Sequence, residues 1–239
     1  MVKILVIGDS CIDKFIYCHI DRICPEAPVP VLQPGYEFSN PGMAGNVAAN
    51  LKALGVRVNL ITNEEVITKI RYVDDKSGQM IMSLDENDTC ERYDGVYETE
   101  GYDAIIISDY NKGFLTEADI RIFAERAKCP VFLDTKKKLG EWCKNIDFIK
   151  INKPEWNNNY ADYKGDNVIV TDGKNGAKYK GKKYPVETEV KVSNVAGAGD
   201  TFLAGLVFKY IGEYDIDNAI YWGNQYASKV VQERGVTTI

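Results

Sequence analysis

Asn194-Val195-Ala196-Gly197-Ala198-Gly199-Asp200 concentrates more chemistry than any other stretch of the chain. Positions 196–199 carry only alanine and glycine, so consecutive backbone N–H groups can point into one concavity, and a helix-like run follows at 201–210. The partial positive charge at a helix N-terminus stabilises an anion, so Gly197, Ala198 and Gly199 read as a phosphate cradle. Asp200 stands just inside it, a carboxylate able to take the proton of an attacking hydroxyl. The chemistry implied is transfer of a terminal phosphoryl group to an alcohol. The same letters also describe a plain glycine-rich turn with Asp200 as a helix cap. A Walker GxxxxGK[ST] loop is absent, and the first turn, Gly8-Asp9-Ser10-Cys11, lacks the GxGxxG of dinucleotide sites.

Other segments offer partners for such a reaction. Asp13 falls just beyond the first strand-like run, where open α/β sheets bind ligands, and can accept two sugar hydroxyls or serve as a turn residue. Lys69, Arg71 and Lys112 by themselves read as solvated surface charges. Asn152-Lys153-Pro154-Glu155 follows a strand-like run at 148–151 and by itself reads as a helix cap or solvated polar groups. Thr171-Asp172-Gly173-Lys174-Asn175-Gly176 follows another strand and by itself reads as an Asp-Gly turn.

These residues need a scaffold. Apolar runs at 2–7, 102–108, 130–133 and 168–171 read as strands buried on both faces, separated by helix-like stretches at 46–54, 116–128 and 215–232. The alternation predicts an α/β domain over 1–239 with a mostly parallel sheet and helices on both faces. Segments at about 12–33 and 67–84 break the rhythm and read as strands of a small second sheet, a lid or a subunit contact. The lysine-rich 174–183 reads as a solvated hairpin.

Composition narrows the partners. Lys plus Arg number 29 against 35 for Asp plus Glu, a net charge of -6, so no global positive field gathers nucleic acid or an anionic membrane. The 6 cysteines form no CxxC pair and only one histidine is present, which suits free thiols and argues against zinc. No apolar run approaches the roughly 20 residues of a membrane span, and residues 1–8 read as a strand rather than a leader, so the expected location is cytoplasmic.

Residues 194–200 resemble the DxTGAGD signature of the ribokinase-like (PfkB) carbohydrate kinases, three-layer α/β sandwiches with a small β lid. The resemblance implies that Asp200 is the catalytic base and Gly197, Ala198 and Gly199 the anion hole, with ATP and Mg²⁺ as cofactors. Asn194 and Ala196 replace the family's Asp and Thr, at positions that assist a monovalent cation site there. Asp13 matches the family's sugar-binding Asp. Pro41-Gly42-Met43-Ala44-Gly45-Asn46 resembles GGxxxN, which implies sugar contacts by Gly42 and Asn46, with Met43 in place of the second glycine. Asn152 and Glu155 match NxxE, acting through water on Mg²⁺ rather than as direct ligands; Thr171, Gly173 and Gly176 match the segment beside the nucleotide base and ribose.

Within that family, residues 22–31 (RICPEAPVPV) resemble the RISPEAPVPV string of bacterial heptose 7-phosphate kinases. Residues 68–73 resemble their TKxRV strand, and 108–113 their SDYGKG turn. This implies phosphorylation of the C1 hydroxyl of D-glycero-D-manno-heptose 7-phosphate, with Lys69, Arg71 and Lys112 facing the phosphate already present, and allows a homodimer through the lid sheet. A kinase for another sugar or a nucleoside, and a non-catalytic sugar-phosphate binder, are the alternatives. The connection between residues 60 and 68 is short where such kinases carry an additional βα stretch.

Overall fold

A computed structural model of the chain describes residues 1–159, 163–187, 195–232 and 238–239. The chain begins with β1 (Lys3–Gly8), β2 (Ser10–His19) and β3 (Gln33–Met43), then α1 (Ala44–Ala53), β4 (Arg57–Ile61), β5 (Ile67–Asp74) and β6 (Met80–Glu86). It continues through β7 (Ala104–Asp109), α2 (Glu117–Arg126), β8 (Val131–Thr135), β9 (Phe148–Asn152), α3 (Lys153–Asn159) and β10 (Val168–Thr171). The last elements are β11 (Ala177–Tyr179), β12 (Lys182–Tyr184), α4 (Ala198–Glu213) and α5 (Ile216–Val230).

An eight-stranded sheet runs in the order β12-β11-β10-β9-β8-β7-β1-β4, parallel from β10 to β4 and closed at the other edge by the antiparallel β11–β12 hairpin. Alternate side chains feed two cores. Ile4, Val6, Ile106 and Phe132 pack with Leu51 of α1 and with Phe202, Leu203 and Leu206 of α4 on one face. Leu5, Ile7, Ile105, Ile107 and Leu133 pack with Ile120 and Phe123 of α2 on the other. Burial on both faces explains why these strands are unbroken apolar runs. The result is the three-layer α/β arrangement expected from the alternation. No helix among the described residues is long and apolar enough to cross a membrane.

The second sheet, in the order β3-β2-β5-β6, departs from the expected boundaries. The first expected segment is strand only to His19; residues 20–32 carry Pro25, Pro28 and Pro30 and form only the isolated bridge between Ile23 and Pro30. Proline removes the N–H that a ladder needs. The chain pairs again in β3, whose Pro34, Gly35, Pro41 and Gly42 hide it from a periodicity reading. An edge position tolerates those prolines. The second expected segment is a hairpin, its turn held by Ser77 N–H donating to Asp74 Oδ2 at 2.8 Å.

From β1 the sheet grows in both directions, to β4 on one side and β7 on the other, so the crevice at the C-terminal ends of β1 and β7 is a topological switch point. Gly8 closes β1 there with φ 152°, and a Cβ on it would lie 1.8 Å from the carbonyl oxygen of Ser108. Gly8→Ala therefore has to part the two central strands. The expected cost is about 3–5 kcal/mol from strain plus overpacking, read as a lower urea midpoint; a midpoint unchanged from wild type would contradict the close approach.

Candidate active site

Asp9, at the switch point, is fully buried and organises the turn after β7 by accepting from the N–H groups of Tyr110 at 2.6 Å and Phe114 at 3.3 Å. Burial, and then the neighbouring Asp109, push its carboxyl above the ordinary range. The turn it holds delivers Tyr110 to the cleft.

Asp200 sits in the first turn of α4, behind the N-cap Gly197 at φ 78°. The helix ladder opens with Thr201 N–H donating to Gly197 O at 2.9 Å, and Ala198 N–H turns back to Val195 O at 3.3 Å. Among the described residues the N–H groups of Gly197, Gly199 and Asp200 are then left as donors for an anion. Asn194 lies outside the described residues.

Both carboxylate oxygens of the buried Asp200 are held: Asn46 Nδ2 of α1 donates to Oδ2 at 3.0 Å and the Tyr110 hydroxyl to Oδ1 at 2.7 Å. Asn46 is itself fixed by Asn50 Nδ2, which donates to its side-chain oxygen at 3.0 Å. Burial raises the Asp200 carboxyl to about 6, against the lowering effect of Asn46, Lys150 and Tyr110, with Asp134 adding to the rise. A carboxylate with that value is ionised at neutral pH and still basic enough to accept a hydroxyl proton.

Tyr110 is a residue that sequence reasoning missed, although it stands inside the quoted turn at 108–113. Its partly buried ring lines the cleft. A hydrogen bond to a charged group contributes about 1.5–3 kcal/mol, and 1.36 kcal/mol corresponds to one pKa unit. Tyr110→Phe removes a bond that favours ionised Asp200, so the acidic limb of a kcat/KM profile is expected to move upward by about one pH unit. The other groups facing Asp200 (Asn46, Lys150, Asp134 and Lys136) are unchanged in that variant. An unmoved limb with normal folding would remove Tyr110 from any influence on the acid.

In front of Asp200 opens a cleft of about 300 Å³ whose lining includes Asp13, Met43, Lys69, Arg71, Lys112 and Lys136. Asp13 on β2 is buried and forms an ion pair with Arg71 on β5. A Cβ at Gly42 would come within 2.8 Å of Asp13 Oδ2 and 2.5 Å of Cys11 Sγ, so glycine there leaves Asp13 its place. Met43 occupies φ 57° and ψ -132°, a conformation that L side chains rarely adopt, with its side chain buried at the cleft wall. Lys69 pairs with Asp85 at 3.3 Å and Lys112 with Asp88 at 2.5 Å. Burial, then Asp13, push the Cys11 thiol up to about 12, so it is protonated and a poor nucleophile.

The expected nucleotide segment lies along the same C-terminal edge of the sheet, beyond the cleft lining. Asn152 and Glu155 form a reciprocal cap at α3: Glu155 N–H donates to Asn152 Oδ1 at 2.9 Å and Asn152 N–H to Glu155 Oε2 at 3.0 Å. The other Glu155 oxygen takes Lys136, whose ammonium lies 4.9 Å from the Tyr110 ring centre, so this ion pair joins the segment to the cleft. Thr171 is in register with Asn152 and its hydroxyl donates to Ile151 O at 3.2 Å. Gly173 at φ 50° faces open space. Gly176 has an architectural duty, since a Cβ there would be 2.0 Å from Tyr184 O. Neither glycine lines the cleft.

Among the described residues no cluster of three His, Cys, Asp or Glu side chains is placed to hold a metal ion directly. The oxygens of Asn152 and Glu155, already engaged by backbone N–H groups and Lys136, suit a hydrated Mg²⁺ reached through its water shell.

The chain is 29% identical over 292 residues to the bifunctional protein HldE of a Nitratiruptor species, covering 99% of this chain and 63% of that one. It therefore spans less than two thirds of such relatives' length. Among solved structures, a nucleoside kinase of Methanocaldococcus jannaschii, an archaeal member of the ribokinase family, matches with a TM-score of 0.71 at 21% identity over 98% of this chain and 93% of that one. A ribokinase from Cryptococcus neoformans var. grubii serotype A, crystallised with ADP, matches with a TM-score of 0.70 at 15% identity over 100% of this chain and 98% of that one. These likenesses show the ribokinase-like fold. The model of the pfkB family carbohydrate kinases matches residues 95–239, more than half of the chain, and the protein belongs to that family of phosphotransferases with a hydroxyl acceptor.

Proposed function

We propose that the chain transfers the γ-phosphoryl group of ATP to the C1 hydroxyl of a heptose 7-phosphate. The observation that carries this reading is the cleft itself: a buried carboxylate at the N-terminus of α4 faces a sugar-sized space lined by one further carboxylate and four cationic side chains. Recognition of a sugar that already bears a phosphate accounts for Lys69, Arg71 and Lys112 lining one cleft of an acidic protein. The likeness of residues 22–31 to heptose 7-phosphate kinases supports a heptose as that sugar.

In the mechanism, Asp13 and Asn46 hold the sugar and Asp200 accepts the proton of its attacking hydroxyl. The N–H groups of Gly199 and Asp200, at the positive end of α4, stabilise charge on the transferring group. Mg²⁺, held through water by Asn152 and Glu155, supplies charge neutralisation on the nucleotide phosphates when bound. Thr171, Gly173 and Gly176 border the base and ribose.

The test is ADP release with ATP, Mg²⁺ and a panel of sugars, with ³¹P NMR to identify the product. Heptose 7-phosphate is expected to give the highest kcat/KM. Faster turnover of unphosphorylated hexoses, pentoses or nucleosides would replace the substrate, and ligand binding with no ADP from any acceptor would replace the enzyme by a binding protein.

A homodimer through the lid sheet belongs to the same proposal. Met82 and Leu84, on one face of edge strand β6, are exposed, an apolar surface that a second copy would cover. Sedimentation at micromolar concentration should give twice the chain mass, and Met82→Glu should return it to the monomer.

A further inference from the structure

Directly behind the cradle lies a buried ion pair that the mechanism above does not use. Lys150 on β9 and Asp134 on β8 are opposed in register on adjacent parallel strands, 5% and 1% exposed, with Nζ donating to Asp134 Oδ2 at 2.6 Å. A Cβ built on Gly199 would lie 2.8 Å from Lys150 Nζ, so the ammonium presses against the first turn of α4. Gly199 needs no side-chain-free φ of its own. Its smallness makes room for that ammonium.

The pair is also poorly satisfied. An ammonium carries three donors, and Asp134 Oδ2 is the one hydrogen-bond partner of Lys150 among the described residues. The second oxygen of Asp134 is buried without a hydrogen bond. A buried pair of this kind gains little over apolar residues of the same volume, so stability alone does not account for it. An anion in the cradle would supply what the ammonium lacks.

We infer that Lys150 is a catalytic residue of the proposed transfer: its ammonium forms the floor of the anion cradle and donates to the phosphoryl group in flight, while Asp134 positions it. This rests on the reading of the chain as an ATP-dependent sugar kinase. The bond between the γ-phosphorus and the oxygen bridging to the β-phosphate breaks, and the bond to the sugar oxygen forms. The sugar's proton passes to Asp200, and Lys150 stays protonated throughout. The rim cations Lys69 and Lys112 differ, for each is matched by a partly exposed carboxylate at the edge of the cleft.

Lys150→Met keeps the length of the side chain and removes the charge. Because it strands Asp134, the double variant Lys150→Met/Asp134→Asn is made beside it and checked for folding. Both are expected to lose about 10²–10³-fold in kcat, with the KM for the sugar within about threefold of wild type. Affinity for ADP with aluminium fluoride should fall at least tenfold more than affinity for ADP alone, a difference that a purely structural role would not produce. A folded double variant with wild-type kcat, or equal losses for the two ligands, overturns the assignment. The binding arm needs no sugar, so a wild type that phosphorylates none of the panel sinks the proposed function while leaving Lys150 separately decided.

Discussion

Asp200→Asn is expected to lower kcat by about 10²–10⁴-fold while leaving ADP affinity near wild type, because it deletes the proton acceptor and keeps the main-chain donors. Two opposite signs meet at this residue. For catalysis the ionised form is needed, so with a carboxyl at about 6 the wild-type kcat/KM should fall as pH drops below that value. For stability the raised value works the other way. A carboxyl shifted upward on folding contributes stability that is fully present below its unfolded value, near 3.8, and is lost as pH rises through about 6. At pH 8 the native wild type therefore carries an unfavourable buried charge that asparagine removes. The variant should unfold no earlier than wild type at pH 8 while being nearly inactive. A variant retaining full turnover would refute Asp200 as base, and one that unfolds far earlier would mean that Asn46 and Tyr110 need the carboxylate to stay in place.

The buried place of Asp200 in the first turn of a helix was legible in the sequence because the small residues that lead into that turn are contiguous with it. The same holds for β1, β7, β8 and β10, whose burial on both faces writes itself as an apolar run. Tyr110, Lys136 and Lys150 were not legible for the opposite reason. Each is unremarkable beside its own neighbours in sequence, and becomes significant only because β7, β8 and β9 lie side by side and end under the N-terminus of α4. Asn152 and Glu155 show a third case. Their spacing allowed a cap or polar groups acting on magnesium through water; the fold makes the cap, a geometry compatible with both roles, and the second oxygen of Glu155 ties Lys136 toward the cleft. β3 was hidden by its prolines and glycines, which mark turns elsewhere but sit here on a sheet edge.

Discrimination between a phosphorylated and a plain sugar should depend most cleanly on Lys112. Arg71 is a poorer probe, because its loss also leaves the buried Asp13 without its cation and so disturbs binding of any sugar. Among the described residues the Lys112 ammonium pairs with Asp88, whose side chain is 44% exposed and can return to water. A charge-assisted hydrogen bond contributes about 1.5–3 kcal/mol, so Lys112→Met is expected to lower kcat/KM for heptose 7-phosphate by roughly 10–100-fold. The same variant should handle unphosphorylated heptose within about twofold of wild type, since no sugar phosphate then competes with Asp88 for the ammonium. Equal losses on both substrates would move the substrate phosphate away from Lys112 and turn the acceptor assignment toward an uncharged sugar.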